Sequence, residues 1–528
     1  MSLTSVRFLF FIVAVFFVYF VTPKRYQYLT LLAGSYVFYY WLSAGVMVFL
    51  LITTATVFFG ALALERCNAR MRSQPGDATP DPAARAARKK SLSAQKKWIL
   101  TAVLLVNFGI LALLKYGELI NATLRLVWPV STGDPLSFRA LALPLGISFY
   151  TFQSVGYLID VYRGKYAAER NPAKFALFVS FFPQIIQGPI ARYDSLAQQL
   201  FEPHTFDFQR AKDGILLIGW GFIKKLIVAD RLAALVTTVF AQPADYGGSI
   251  LFVAAFTYGL QVYCDFSAGM DIAGGVAEVM GIRIAKNFQQ PYYANAIADF
   301  WRRWHITLGT WMRDYLFYPL SLSRPFGRLA KAVRTRWGMR WSKIIASGII
   351  SFIVFTVVGI WHGAEVKYIL YGFWNGTLIM LAILLEPLFA RALTALHIRQ
   401  DSRAWRAFRI VRTLVLLSIG RSIVCSLSAS TALAAIGKMV FAFAPADLFG
   451  GTLGTLGMNG FDYAVVAAVL AVVFWIDHLH EQGKPVRASL ARAPLVWRWA
   501  LYFVMIFALL MLTPAGGTLS GNFIYAQF

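Results

Sequence analysis

Long uncharged apolar runs recur along this chain of 528 residues. The clearest of them cover residues 8–21, 99–114, 344–361, 465–475 and 501–512. A helix that crosses a bilayer needs about 20 mostly apolar residues, and fewer where its polar ends reach the headgroups. Together with less clean segments, these runs predict roughly eleven spans. We therefore expect an all-α, polytopic membrane protein with re-entrant segments.

The charge balance fits a membrane protein and argues against several other classes. Only 14% of the residues are charged, whereas soluble domains carry about a quarter, and the formal net charge is +25. Basic cytoplasmic loops explain most of this excess, although a polyanionic ligand could use part of it. No nucleic-acid-binding module accompanies the charge, so we expect no nucleic-acid partner. The three cysteines lie far apart and predict neither a disulfide framework nor a metal site.

The pattern of basic residues predicts the organisation of one membrane domain over residues 1–528. Residues 66–97 carry nine Lys or Arg and are expected to form a basic cytoplasmic loop, residues 143–390 a core that carries the motifs, and residues 407–528 C-terminal membrane helices. Residues 281–343 hold twelve Lys or Arg and two acids, which indicates a cytoplasmic segment or one open to the cytoplasm. Prolines and glutamines within 175–190 predict a re-entrant hairpin.

Two histidines are the strongest candidate site residues. His305 lies in WRRWHITLGTWMRDY, on the cytoplasmic side of the predicted topology, and His362 lies in GIWHGAEVKY, after a helix that leads away from that side. Histidine changes its charge near neutral pH and is costly at a membrane edge, so the pair could serve two entrances of one site. The alternatives are an interfacial helix with an aromatic belt for His305 and a helix-capping histidine for His362.

Further polar and aromatic residues are weaker candidates for binding the donor or substrate. Arginines and acids near His305 avoid lipid because a charge costs about 2.5–3.5 kcal/mol at a helix centre. The polar residues in apolar surroundings could equally be hydrogen-bonding links between helices. Asp265 and Asp271 lack a surrounding ligand set, so we expect no metal. The candidates are Arg302, Arg303, Trp304, Arg313, Asp314, Trp361, Gln187, Asp265, Ser267 and Asn375.

Six ordered blocks resemble the membrane-bound O-acyltransferase family over nearly the whole chain. The similarity is to its bacterial branch, which contains alginate O-acetyltransferases, peptidoglycan O-acetyltransferases and teichoic-acid D-alanyl transfer proteins. The blocks are LPLGISFYTFQSVGYLIDVYRG (143–164), FFPQIIQGPIARY (181–193), QVYCDFSAGMDIAGG (261–275), NFQQPYYANAIADFWRRWHITLGTWMRDYLFYPL (287–320), GIWHGAEVKYILYGFWNG (359–376) and FIYAQF (523–528).

The resemblance implies an O-acyltransferase of the bacterial plasma membrane, with His362 at the position of the family's catalytic histidine and His305 at that of its second histidine. A cytoplasmic acyl thioester, acetyl-CoA or an acyl-carrier protein, would supply the acyl group, and no bound cofactor is expected. The acceptor would be a hydroxyl of an envelope polymer or of an extracytoplasmic SGNH-type acetyltransferase. The absence of a GxSxG motif favours direct transfer over a seryl-enzyme. D-alanyl transfer to teichoic acid remains an alternative, as does a transporter or flippase, although no inverted repeat is visible.

Overall fold

A computed structural model describes residues 3–72, 82–127, 144–449, 451–514 and 523–524. These residues form helices joined by turns and short loops, and they contain no β-strand, only an isolated bridge between Phe288 and Trp304. The predicted all-α class is confirmed. The helices are α1 Val6–Val21, α2 Gln27–Ser43, α3 Met47–Arg72, α4 Pro82–Val127, α5 Ile147–Arg163, α6 Pro172–Ser180, α7 Phe182–Ile185, α8 Tyr193–Phe201, α9 Phe208–Phe222, α10 Asp230–Ala241, α11 Gly248–Val279, α12 Ile297–Arg303, α13 Ile306–Met312, α14 Tyr318–Ser321, α15 Arg324–His362, α16 Val366–Ala395, α17 Arg403–Cys425, α18 Ala429–Phe441, α19 Gly460–Glu481, α20 Val486–Arg492 and α21 Leu495–Leu512.

Seven helices of the described chain are long and apolar enough to cross a membrane: α3, α4, α11, α15, α16, α19 and α21. Two shorter apolar helices, α1 and α18, add to them. Each of the five uncharged apolar runs lies within a helix. The chain is thus a multi-pass membrane protein, as expected for the bacterial inner membrane, while the count of roughly eleven spans stays a prediction.

Contacts divide the chain into two compact units. The first comprises the described residues of 1–215 and 273–285, and the second comprises those of 216–272 and 286–524. Both histidines belong to the second unit. The prediction of one membrane domain stays a prediction.

The first unit has an aromatic core crossed by a few polar contacts. Phe8, Phe38 and Phe182 are buried together, with ring centroids 5.7–5.8 Å apart. The amide of Gln184 donates to the side-chain oxygen of Gln153 at 3.1 Å. Such contacts satisfy polar groups that lipid could not.

Two segments of the first unit differ from or refine the sequence predictions. The expected basic loop 66–97 is helical wherever the structure describes it: α3 continues to Arg72 and α4 begins at Pro82, while residues 73–81 lie outside the described residues. Ala, Arg, Lys and Gln are good helix formers, and their propensity extends both membrane helices beyond the apolar runs. In 175–190 the chain forms α6 and α7, which are interrupted at Phe181. The hairpin's re-entry into the membrane stays a prediction.

A close helix pair, α15 and α16, organises the second unit around His362. A Cβ added to Gly359 would lie 2.4 Å from the backbone oxygen of Tyr368, and one added to Gly372 would lie 2.6 Å from that of Phe355. Such distances are far below ordinary contact, so only glycine lets the two backbones approach this closely. The pairing fixes the last turn of α15, where His362 ends the helix.

Candidate functional site

His362 is held at the buried end of α15. Only 8% of its surface is exposed, and the next residue, Gly363, leaves the helix in an extended conformation. A Cβ on Gly363 would lie 2.3 Å from the ring of Tyr368, so this glycine too is required for packing. The imidazole ring lies against the ring of Tyr371 of α16, with the centroids 6.2 Å apart.

His305 occupies a strained backbone position immediately before α13. Its φ of 47° and ψ of 53° lie in the left-handed region, which costs a non-glycine residue about 1–3 kcal/mol. Short backbone contacts hold it there: the N–H of Gln289 donates to Arg303 at 2.9 Å, and the N–H of Ile306 donates to Asn287 at 3.1 Å. The side chain is 2% exposed. Strain maintained by its surroundings in this way is typical of functional positions.

Asn287 fixes the protonation pattern of the His305 ring. The backbone N–H of Thr307 donates to Oδ1 of Asn287 at 3.1 Å, and the Thr307 hydroxyl donates to it at 2.7 Å. The N–H can only donate, so this atom of the amide must be the oxygen, and Nδ2 is left to donate to the sulfur of Met270 at 3.2 Å. Nδ1 of His305 lies 3.4 Å from the same oxygen and must therefore donate. Nε2 then carries the lone pair of the neutral ring.

Trp361 joins the two histidines into one cluster. Its ring centroid lies 4.9 Å from that of His362 and 6.0 Å from that of His305. Phe266 of α11 also packs edge-on against His305, with the ring centroids 4.9 Å apart. The two histidines, distant in sequence, thus contact the same indole in a largely apolar environment.

Burial sets the charge state of His305. This residue lies outside the seven candidate spans, and burial, together with the smaller effect of nearby His362, lowers its pKa to about 3. The ring is therefore neutral at physiological pH. A neutral imidazole with its lone pair on Nε2 accepts hydrogen bonds and does not donate from that atom.

Residues of α12 and α16 form an aromatic wall beside His362. Nε1 of Trp301 donates to Oδ1 of Asn375 at 3.2 Å, and the Asn375 amide donates to the backbone oxygen of Tyr371 at 2.9 Å. Trp301 also lies 6.5 Å from the ring of Tyr371, which contacts His362. Asn375 therefore supports the aromatic wall beside His362.

The arginines near His305 differ in how far their side chains are exposed to solvent. Arg303 is held by Glu481 at 2.7 Å and Asp299 at 3.4 Å, so its charge is already compensated within the protein. Arg302 and Arg313 are more than half exposed, and Arg313 pairs with Asp314 at 2.9 Å. The exposed pair could still meet an anionic ligand.

Trp304 serves packing. It is 5% exposed and lies among Phe288, Phe300 and Tyr263, with ring centroids 5.0, 5.3 and 6.2 Å away. This aromatic cluster supports the strained turn that ends in His305.

Asp265 and Ser267 belong to a buried ionic network on α11. A π-helical segment, Ile223–Ala229, directs two consecutive lysines inward. Lys225 pairs with Asp265 at 2.7 Å, and Lys224 contacts both Asp271 and Ser267 at 2.7 Å. These contacts occupy the side chains that the sequence proposed for substrate. Among the described residues there is no group of three or more His, Cys, Asp or Glu arranged to hold a metal.

Gln187 belongs to the first unit. Its side chain is 1% exposed, and neither its amide nitrogen nor its oxygen has a hydrogen-bond partner among the residues the structure describes. A role for Gln187 in substrate binding stays a prediction.

Sequence reasoning did not single out a basic cleft at the N-terminal part of α15. Gly338, at φ 84°, kinks this helix, and the Ser342 hydroxyl donates back to Ala330 at 2.7 Å. A cavity of about 540 Å³ opens beside the kink, and its lining includes Lys331, Arg334 and Lys343. A glycine inside a run of basic residues was the available signal.

Comparisons with known proteins agree with the predicted family and with a multi-pass membrane architecture. The family described as MBOAT, the membrane-bound O-acyltransferase family, matches residues 169–335. A probable alginate O-acetylase of Pseudomonas syringae is 35% identical over 71% of this chain and 65% of its own length, and that of Pseudomonas fluorescens is 30% identical over 93% and 87%. A teichoic acid D-alanyltransferase of Bacillus subtilis is 31% identical over 44% and 58%. The chain thus spans slightly less than two thirds of the first of these relatives, and the predicted resemblance is confirmed.

Proposed function

The chain belongs to the membrane-bound O-acyltransferase family, and from that premise we propose that it transfers an acyl group, foremost acetyl, from a cytoplasmic thioester to a hydroxyl acceptor outside. The observation that carries the proposal is the buried cluster in which His305 and His362 contact one indole, Trp361. A neutral imidazole can take up a proton from a reacting hydroxyl and return it, which is what a general base of acyl transfer must do.

In the proposed reaction His362 is the general base. It takes the proton of the acceptor hydroxyl while that oxygen attacks the thioester carbonyl, and collapse of the tetrahedral intermediate breaks the carbon–sulfur bond. The proton then passes from His362 to the departing thiolate, which leaves as the free thiol. Each turnover therefore returns His362 to its neutral form.

His305 acts in the proposal by orienting a substrate. Its lone pair on Nε2 suits an N–H or O–H donor, such as an amide of a pantetheine arm or the acceptor hydroxyl. The hydrogen bond between Nδ1 and Asn287 supports this role over direct stabilisation of an oxyanion, which would require a proton on Nε2.

The donor is proposed to approach from the basic cytoplasmic side. Arg302 and Arg313 form ion pairs with Asp299 and Asp314, but their side chains are more than half exposed, so phosphates of acetyl-CoA or of an acyl-carrier protein can reach them. Arg303 is a weaker candidate because its side chain is only 21% exposed and is held by both Glu481 and Asp299.

The names of the relatives suggest the acceptors. Alginate and teichoic acid are both hydroxyl-bearing envelope polymers, and an SGNH-type partner outside the membrane could accept the acyl group first. Acetyl transfer is our first proposal because the alginate O-acetylases match more of this chain than the teichoic acid D-alanyltransferase does. D-alanyl transfer is the second, supported by the teichoic acid D-alanyltransferase.

The purified chain in phosphatidylethanolamine–phosphatidylglycerol vesicles tests the proposal. With labelled acetyl-CoA on one side and a hydroxyl-bearing polysaccharide on the other, we expect labelled ester on the polysaccharide and free CoA in equal amounts. A matched reaction with a D-alanyl-carrier thioester distinguishes the two acyl groups. Passage of solute without thioester cleavage would instead identify a transporter.

A further inference from the structure

Arg421 is the exception among the buried cations of the described chain. Four Lys or Arg side chains are buried there, and three of them have a carboxylate within 3.0 Å: Lys224, Lys225 and Arg231. Arg421, at 6% exposed, forms no ion pair with any described carboxylate, and its Nη1 atom forms no hydrogen bond there. Burying a charge without a partner of opposite charge is strongly unfavourable, so a bound anion would stabilise this side chain.

The surroundings of Arg421 hold the guanidinium without neutralising it. Its central carbon lies 5.5 Å from the ring centroid of Tyr292 and 5.6 Å from that of Phe300, distances typical of cation–π contacts. A Cβ on Gly259 would lie 1.9 Å from Nη1, so the missing side chain makes the space that the guanidinium occupies. The buried hydroxyl of Tyr292 lies beside this guanidinium, and its proton has no acceptor among the described residues, so it is a second donor at this place.

The arginine lies behind the aromatic wall of the histidine site. Phe300, which it contacts, packs on Trp301 at 5.5 Å, and Trp301 packs on Tyr371, the neighbour of His362. A continuous series of ring contacts within the second unit thus connects Arg421 to the histidine site.

We propose that Arg421, with the hydroxyl of Tyr292, binds an anionic oxygen group, a phosphate or a carboxylate, of a substrate of this site. The inference rests on the proposed acyl transfer for its setting. The group has two sources: the phosphates of a CoA-type donor, or the carboxylate of a uronic-acid acceptor. A planar guanidinium pairs with either one through two parallel hydrogen bonds.

Ligand binding to the purified full chain tests the site without requiring turnover. The probes are CoA against pantetheine, which lacks the phosphates, and a hexuronate oligomer against its neutral hexose counterpart. We expect Arg421→Gln to weaken binding of one anionic probe by about 10- to 100-fold and to leave its neutral counterpart unchanged. The probe that is affected identifies the source.

Three variants guard the interpretation. Arg421→Lys keeps the charge and loses the planar fork, so it should lose less affinity than Arg421→Gln. Gly259→Ala should displace the guanidinium and weaken the same probe, with the melting temperature recorded to separate misfolding. Arg403→Gln, at the exposed start of the same helix, should change nothing.

Equal losses for charged and neutral probes, or undiminished binding of both anionic probes by Arg421→Gln, would overturn the proposal. Because binding is the readout, a chain that binds an anion through Arg421 and transfers no acyl group would refute the proposed function alone.

Discussion

Replacing Asn287 with alanine should impair the reaction by removing a hydrogen-bond partner of the His305 ring. Oδ1 of Asn287 accepts hydrogen bonds from the backbone N–H and hydroxyl of Thr307 at 3.1 and 2.7 Å, and from Nδ1 of His305 at 3.4 Å. Asn287→Ala removes all three. The ring of His305 then loses the contact that selects its tautomer.

The contacts of Asn287 predict how much stability and how much catalytic rate the Asn287→Ala variant should lose. The two hydrogen bonds from Thr307 contribute about 0.5–1.5 kcal/mol each, so we expect a loss of about 1–3 kcal/mol in folding free energy. The hydrogen bond to His305 is long, at 3.4 Å, so its free-energy contribution lies within or below that range per bond. Its loss should lower kcat by about 2- to 10-fold, since about 1.4 kcal/mol corresponds to tenfold in rate.

Acyl-transfer rates and melting temperatures of the purified variants provide the assay. In a His305→Ala background, Asn287→Ala should cause no further loss of rate, because both changes act through one ring. Asn68→Ala is the matched control: this buried amide donates to the backbone oxygen of Val161 at 2.9 Å in the first unit, so its loss should lower stability and spare the rate per folded molecule. An Asn287→Ala effect of the same size with and without His305 would refute the reasoning.

Three further outcomes follow from the second unit. Burial lowers the pKa of His305 from 6.5 to about 3, so between these pH values the unfolded chain binds more protons than the folded chain. The melting temperature should therefore fall as the pH is lowered from 6.5 to 3, and it should fall less in His305→Phe. Equal pH profiles of the two proteins would contradict this prediction. Gly359→Leu should separate α15 from α16 and lower both the melting temperature and kcat, because even a Cβ at this position would lie 2.8 Å from the Cα atom of Gly372. An unchanged melting temperature and kcat would show that the close approach of the two helices is unnecessary. Lys225→Met should lower the free energy of unfolding by about 3–5 kcal/mol, because it leaves Asp265 buried without the ammonium group 2.7 Å away. Adding Asp265→Leu should restore much of the melting temperature. A further loss in the double variant would exclude charge imbalance as the cause.

The helices and the histidine pair could be predicted from sequence because their signals are local. Apolar runs of bilayer length define helices directly, and rare histidines in GIWHGAE and WRRWHITLG mark costly positions. Loop 66–97 was assigned from composition, yet its good helix formers extend α3 and α4.

The roles of other residues depend on contacts distant in sequence. Arg303 could serve as a phosphate ligand on sequence grounds, but its partner Glu481 lies 178 positions away. The tautomer of His305 depends on Asn287 and on a left-handed backbone that no motif announces. Arg421 stands out only when the carboxylates beside every other buried cation are known.

The rate of acyl transfer by His362→Ala in vesicles tests the central claim most directly. The proposed general base predicts a rate at least about 100-fold below that of the unchanged chain, with donor affinity and melting temperature nearly preserved. A His362→Ala protein that acylates its acceptor at the full rate would contradict the account.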